Sequence, residues 1–307
     1  LTGICSNNRL LGKMLCAIKS PVLFLMLLIG LSLFPSPAFA SINSLNSLVE
    51  YTGENDGVSF GLSSSAGDIN GDGYDDTVVA SVYYPSSTYK KGRVYVFYGG
   101  PMPASTTADN ADIILTGENN NDRFGHSVSI AGDVNGDGYD DIIVGAPRYP
   151  GNLYHGRAYL FYGGPALAST TADNADVIFT GEGVLGVHFT AFGASVSTAG
   201  DLNKDGYDDI LIGSAAPLNN YDGRTYVFYG SSTLTSKNAS EADIKLTGRT
   251  DRSDEFGTTV APAGDVNNDG YPDILIGSYY YSEDGKEDPG AAWIFYGGPT
   301  LSSTTAD

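Results

Sequence analysis

The stretch "GDVNGDGYDDIIVGAP", residues 132–147, sets four aspartates and an asparagine within positions 133–141 and then turns apolar. A Gly/Asn/Asp cluster running into a β-branched segment reads as a tight turn feeding a strand. The same pattern stands at Asp68–Asp76, Asp201–Asp209 and Asp265–Asp273, always as D-x-N-x-D-G-Y-x-D. Four copies of one turn point to a repeat protein, and the flanking sequence bears this out.

Working outward, Phe-Gly recurs at 60–61, 124–125, 192–193 and 256–257, spaced by 64, 68 and 64 residues. Ala-Gly-Asp follows each, then an apolar run, a variable stretch, and "GRVYVFYGG" (92–100) or its equivalent at 156–164, 223–230 and 290–298. The first three units end in "ADIILTGE" (111–118), "ADVIFTGE" (175–182) and "ADIKLTGR" (242–249). Each unit reads as four short strands without helical periodicity. Four-stranded antiparallel sheets in tandem, with no linkers between them, predict an all-β β-propeller rather than an array of sandwiches. The expected repeats are about 56–119, 120–183, 188–249 and 252–307.

"SLVEYTGEN" (47–55) resembles a fourth strand lying ahead of the first Phe-Gly, and is expected to supply the outer strand of the last blade. "GGPTLSSTTAD" at the C-terminus matches 163–173, which leads into another fourth strand, so the chain is expected to be a fragment. Four such units are expected to form an open arc with an exposed apolar edge near 290–298.

Residues 1–40 read as a leader. Lys13 and Lys19 precede the apolar run 21–34, and Ala38-Phe39-Ala40 has the form of a signal-peptidase site, so the mature domain is expected to be 41–307. Fourteen apolar residues are short for a membrane span. Met14 is a candidate initiator. The leader holds both cysteines, so disulfides are not expected to brace the mature chain. The formal charge is −20, about −23 after cleavage, which disfavours nucleic acid or an anionic membrane as partner. A secreted, periplasmic or cell-surface location follows.

Fifteen of the 36 acids lie in the four turns, and each turn is a candidate calcium loop. Oxygen ligands at positions 1, 3 and 5, Gly at 6, a main-chain carbonyl at 7 and a carboxylate at 9 can surround one Ca²⁺. The candidate ligands are Asp68, Asn70, Asp72, Tyr74 and Asp76; Asp133, Asn135, Asp137, Tyr139 and Asp141; Asp201, Asn203, Asp205, Tyr207 and Asp209; and Asp265, Asn267, Asp269, Tyr271 and Asp273. An EF-hand is a poor alternative, since position 12 is Val79, Val144, Ile212 or Ile276 instead of Glu. Mg²⁺ suits such a cage less, because it tends to keep its waters.

Phe-Gly, this loop and Gly145-Ala146-Pro147 together resemble the FG-GAP repeat of integrin α-subunit propellers and their bacterial relatives. The resemblance covers about residue 47 to the C-terminus. It implies a seven-bladed propeller with calcium loops on the lower face and ligand binding on the upper. Only four repeats stand here, "GAP" is intact only in the second, and nothing resembles an integrin stalk.

On the opposite end from the loops lie the variable connections between the second and third strands. Tyr83, Tyr84, Tyr149, Tyr154, Tyr221, Tyr279 and Tyr280 are candidate anchors for a protein or glycan, with packing between blades the alternative. The insertion at 181–193 carries Val184, Leu185, Val187 and Phe189, suited either to plug a channel or to meet a partner. His126, His155 and His188 complete no catalytic motif, and no G-x-S-x-G, HExxH or P-loop is present, so no enzyme is expected in this chain. The readings left open are a calcium-stabilised binding or adhesion module, an accessory to an extracellular hydrolase beyond residue 307, and a structural spacer.

Overall fold

In the computed structural model the described residues are 49–151, 155–182, 190–215, 223–249, 255–279, 281 and 289–306. Residues 49–307 make one compact unit. The expected leader and its expected cleavage point, Met14, the apolar insertion residues and Tyr154, Tyr221 and Tyr280 lie outside the described residues.

The chain is all-β, built as propeller blades, with three single 3₁₀ turns among the described residues. A two-residue strand β1 (Tyr51–Thr52) comes first. The first repeat then gives β2 (Phe60–Gly67), β3 (Asp76–Ser81), β4 (Arg93–Phe97), β5 (Thr106–Thr107) and β6 (Ile113–Thr116). The second gives β7 (Ser127–Gly132), β8 (Asp141–Ala146), β9 (Arg157–Phe161), β10 (Thr170–Thr171) and β11 (Val177–Thr180). The third gives β12 (Phe192–Gly200), β13 (Asp209–Ser214), β14 (Arg224–Phe228), β15 (Lys237–Asn238) and β16 (Ile244–Thr247). The fourth gives β17 (Thr259–Gly264), β18 (Asp273–Ser278), β19 (Ala291–Phe295) and β20 (Thr304–Thr305).

Within each repeat the long strands form an antiparallel meander, as expected. The third repeat runs β12-β13-β14-β16, with Ile212 opposite Val196 on one side and Tyr226 on the other. The middle strands of the second and third repeats are covered on both faces: every residue of β8 and of β13 is buried. A sheet covered on both sides needs apolar residues at consecutive positions, which explains "IIV" and "ILI" where simple alternation would give a half-wet strand. The cores lie between neighbouring sheets. One unites Val78, Val94 and Leu115 of the first repeat with Phe124, Ile142 and Tyr159 of the second; a second joins repeats two and three, and a third joins repeats three and four.

The short strands were not anticipated. Each pairs in parallel with the outer strand of the preceding repeat: β10 with β6, β15 with β11, and β20 with β16. A serine hydroxyl just ahead of the strand takes a backbone N–H of that neighbour: Ser169 Oγ from Ile114 at 2.8 Å, Ser236 Oγ from Ile178 at 2.9 Å, Ser303 Oγ from Lys245 at 2.9 Å. An alanine next to each strand, Ala172, Ala239 or Ala306, is then buried. The segment 168–173 and its equivalents at 235–240 and 302–306, which the repeat pattern leaves as linkers into the fourth strand, are latches between blades.

The same rule accounts for "SLVEYTGEN". Within it β1 sits where a fourth strand ahead of the first repeat would sit, and its partner is β5, with Glu50 N bonded to Ser105 Oγ at 2.8 Å. Among the described residues it does not join β17-β18-β19. The expected exposed edge is present, with Ile294 49% and Tyr296 56% accessible.

Candidate metal centres

Each D-x-N-x-D-G-Y-x-D turn joins the first two long strands of its blade, and in all four the side chains fold back onto the loop's own backbone. In the second repeat Asp133 Oδ1 accepts from Gly136 N at 2.7 Å and Asp137 N at 2.9 Å, while its Oδ2 accepts from Gly138 N at 2.8 Å. Asn135 Oδ1 takes Asp137 N at 2.8 Å, and Asp137 Oδ1 takes Tyr139 N at 3.1 Å. Asp205 N in the third loop and Asp269 N in the fourth are bound in the same way by Asp201 and Asn203, and by Asp265 and Asn267. Asp and Asn favour such local bonds, which hold the turn closed without a disulfide. Their oxygens converge because the loop N–H groups pull them inward.

The ninth residue differs from the others. Asp76, Asp141, Asp209 and Asp273 are fully buried at the start of β3, β8, β13 and β18. Asp141 Oδ2 accepts from Val134 N at 3.0 Å and its Oδ1 from Gly163 N at 2.9 Å. Asp209 does the same with Leu202 N and Gly230 N, both at 2.9 Å. This carboxylate therefore staples the loop to the end of the third long strand, a second task that its place in the motif does not reveal. Burial pushes the Asp141 carboxyl up to about 7, with Asp137 and Asp133 adding repulsion. Asp209 is likewise pushed up to about 7 by burial, with repulsion from Asp205 and Asp201.

A hard divalent cation matches this donor set. Each loop presents two partly or fully exposed carboxylates, an amide oxygen between them, a main-chain carbonyl at position 7 and a buried carboxylate at 9. A carboxylate oxygen bonded to one N–H keeps a lone pair for a cation. No three His, Cys, Asp or Glu side chains among the described residues gather round one point.

Position 8 escaped the sequence reading altogether. Asp140 of the second loop reaches back to the first, where its Oδ2 accepts from Asp68 N at 2.9 Å; Asp208 of the third reaches the second, accepting from Asp133 N at 3.0 Å. Burial raises both carboxyls, and acids of the adjoining loops add to the effect. The available signal was the Asp-Asp doublet ending three of the loops, broken to Pro272-Asp273 in the fourth.

At the other end of the blades, two of the candidate tyrosines are engaged within the protein. The Arg93 guanidinium lies 3.7 Å from the centre of the Tyr84 ring, and Arg157 lies 3.7 Å from that of Tyr149. Both arginines also bridge to the end of the preceding outer strand: Arg93 to Glu54 and Arg157 to Glu118, each at 2.9 Å. Tyr83 is half-buried near Lys90 and Arg123, while Tyr279 is 54% exposed. His126 is partly buried, with its Nδ1 3.2 Å from the Ala194 carbonyl oxygen.

Comparison with known families gives four matches to the FG-GAP repeat, at residues 60–97, 124–161, 192–228 and 256–295. Among curated proteins, integrin alpha-IIb of Homo sapiens is 36% identical over 178 residues, 54% of this chain and 16% of its own length. Integrin alpha-5 of Xenopus laevis is 33% identical over 175 residues, 55% of this chain and 16% of its own. Phosphatidylinositol-glycan-specific phospholipase D of Bos taurus is 34% identical over 190 residues, 59% of this chain and 21% of its own. The chain thus spans about a fifth or less of these relatives.

Proposed function

The chain belongs to the FG-GAP repeat family, and on that premise we propose that it is an extracellular, calcium-stabilised propeller module that binds a protein or glycan on its upper face. The observation that carries the calcium part is the same hydrogen-bonded acidic turn, four times over, with a buried carboxylate beneath it. In each loop the ligands are the side chains at positions 1, 3, 5 and 9 and the carbonyl of Tyr74, Tyr139, Tyr207 or Tyr271. A bound Ca²⁺ supplies two positive charges against the repelled carboxylates. The cation serves stability: the loops feed directly into rigid strands, so an affinity of about 10⁻⁴ to 10⁻³ M suffices outside cells.

The binding part rests on kinship with integrin α-subunits and on variable loops grouped at the end opposite the turns. Tyr279 is the foremost exposed anchor; Tyr84 and Tyr149 shape the floor by stacking on arginine. The similarity to a phospholipase D favours a second reading, in which the propeller is an accessory to an extracellular hydrolase. In either case the chain itself works as a non-catalytic module.

The test is elemental analysis for calcium with a thermal melt in calcium and in EDTA. About four Ca²⁺ per chain and a melt lowered by EDTA are expected. No calcium and an unchanged melt would sink the metal reading. Screening the protein on protein and glycan arrays, beside a Tyr279→Ala variant, tests the binding face; a hit indifferent to that change removes Tyr279 from it.

A further inference from the structure

Consecutive turns are physically joined. Besides taking the Asp68 N–H, Asp140 donates its own N–H to the Asp68 carbonyl at 3.2 Å, so the pair is doubly bonded across two blades. Asp208 and Asp133 repeat the arrangement, with the return bond at 3.1 Å. The neighbouring residue adds a third link. The Tyr139 ring lies over Gly71, where a Cβ would meet its Cε1 at 2.4 Å, and Tyr207 lies over Gly136, where a Cβ would meet its Cε1 at 2.5 Å. Thus residues 7 and 8 of one loop clamp residues 1 and 4 of the loop before it. Room for the clamp is reserved in the sequence: Gly67 and Gly132 stand where a Cβ would strike the Asp140 and Asp208 carboxylates at 2.4 and 2.1 Å.

The fourth loop departs from this. Pro272 occupies position 8, with neither N–H nor carboxylate, so neither Asp201 bond can form. Lys204 Nζ still lies over the Tyr271 ring, 4.1 Å from its centre, and Gly298 N still donates to the Leu202 carbonyl at 2.9 Å.

We propose that loops 1, 2 and 3 take up calcium cooperatively through Asp140 and Asp208 as positioning residues, and that loop 4 binds apart from them. The inference rests on the calcium reading of the loops. Residues 7 and 9 of each loop are ligands that flank residue 8. Ligation of loop 2 therefore fixes Asp140 and Tyr139, and with them the first and fourth residues of loop 1. Part of the ordering cost of loop 1 is then already met, which is positive coupling without a new contact. The same holds between loops 3 and 2. Across the Pro272 junction the doubly bonded position 8 is missing, so less of the effect is transmitted.

The experiment is calorimetric titration of the metal-free full chain with calcium, comparing it with Asp140→Ala, Asp140→Asn and Pro272→Asp, each first verified as folded by circular dichroism. The unaltered protein should show a cooperative class beside one independent site. In Asp140→Ala, one site should weaken by about tenfold, the scale of a lost charge-assisted hydrogen bond, although no ligand has been removed. Asp140→Asn, which keeps an acceptor, should weaken it less, and Pro272→Asp should draw the independent site into the cooperative class. If Asp140→Ala does not fold, Pro272→Asp decides alone. Four independent sites, untouched by the substitutions, overturn the coupling and leave the calcium reading standing. No calcium uptake by the unaltered protein overturns both.

Discussion

The α-carbon of Gly156 faces the carbonyl oxygen of Phe192: a Cβ on it would stand 2.0 Å from that oxygen. Gly92 meets the Phe124 carbonyl at 1.9 Å and Gly223 the Phe256 carbonyl at 2.0 Å in the same way. The Gly-Arg that opens the third long strand and the Phe-Gly of the following repeat are therefore two halves of one contact between blades.

Gly156→Ala should destabilise far more than Gly138→Ala. Both glycines are left-handed, at φ +81° and +90°, so each alanine incurs about 1–2 kcal/mol of backbone strain. Only Gly156 adds a collision with backbone; a Cβ on Gly138 meets nothing within 4 Å. Thermal melts of the two variants side by side check the difference, and equal losses would refute the close approach.

Phe192→Ala should cost about 3–5 kcal/mol, as for other large core truncations. Phe192 is fully buried and packs edge-on against Tyr226, ring centres 5.4 Å apart. Chemical denaturation of the variant measures it.

Two aspartates of one loop should respond differently to metal. Asp141→Ala strips the buried Val134 N–H and the partly buried Gly163 N–H of their acceptor and should destabilise the protein by about 2–3 kcal/mol even in EDTA. Asp137→Ala should alter the EDTA melt little and act only when calcium is present. Melts of both variants with and without calcium separate the staple from the ligand.

Glu118→Ala should cost about 1–3 kcal/mol by leaving Arg157 and the Tyr159 hydroxyl without their shared acceptor, at 2.9 and 3.0 Å. A double-mutant cycle with Tyr159→Phe checks that the two losses overlap.

His126 should make the protein acid-sensitive. Burial lowers its proton affinity below the ordinary value of 6.5, and Arg123 and Arg148 reinforce this. Below about pH 6.5 the unfolded chain then holds more protons than the folded one, so stability is complete above that pH and declines beneath it. His126→Leu, the residue type at the equivalent position of the first repeat, should flatten the decline between about pH 6.5 and 5. Denaturation curves in saturating calcium at several pH values test it; parallel curves would exclude this histidine.

The sequence by itself determined the repeat, the all-β blades and the chemistry of the turns. Periodic Phe-Gly, D-x-N-x-D-G and "FYGG" are local signals, written where the backbone needs a positive φ, a side-chain acceptor for a turn N–H, or a buried strand. Contacts between blades left residues whose partners no motif names. Asp140 looked like one more loop acid until it met Asp68, 72 residues away. Thr170-Thr171 read as a linker and pairs with Leu115-Thr116. Tyr84 and Tyr149 read equally as ligand anchors or as packing between blades, and stack on Arg93 and Arg157. Each depends on the offset between neighbouring sheets, a distance no single repeat encodes, and only the tertiary structure decided it.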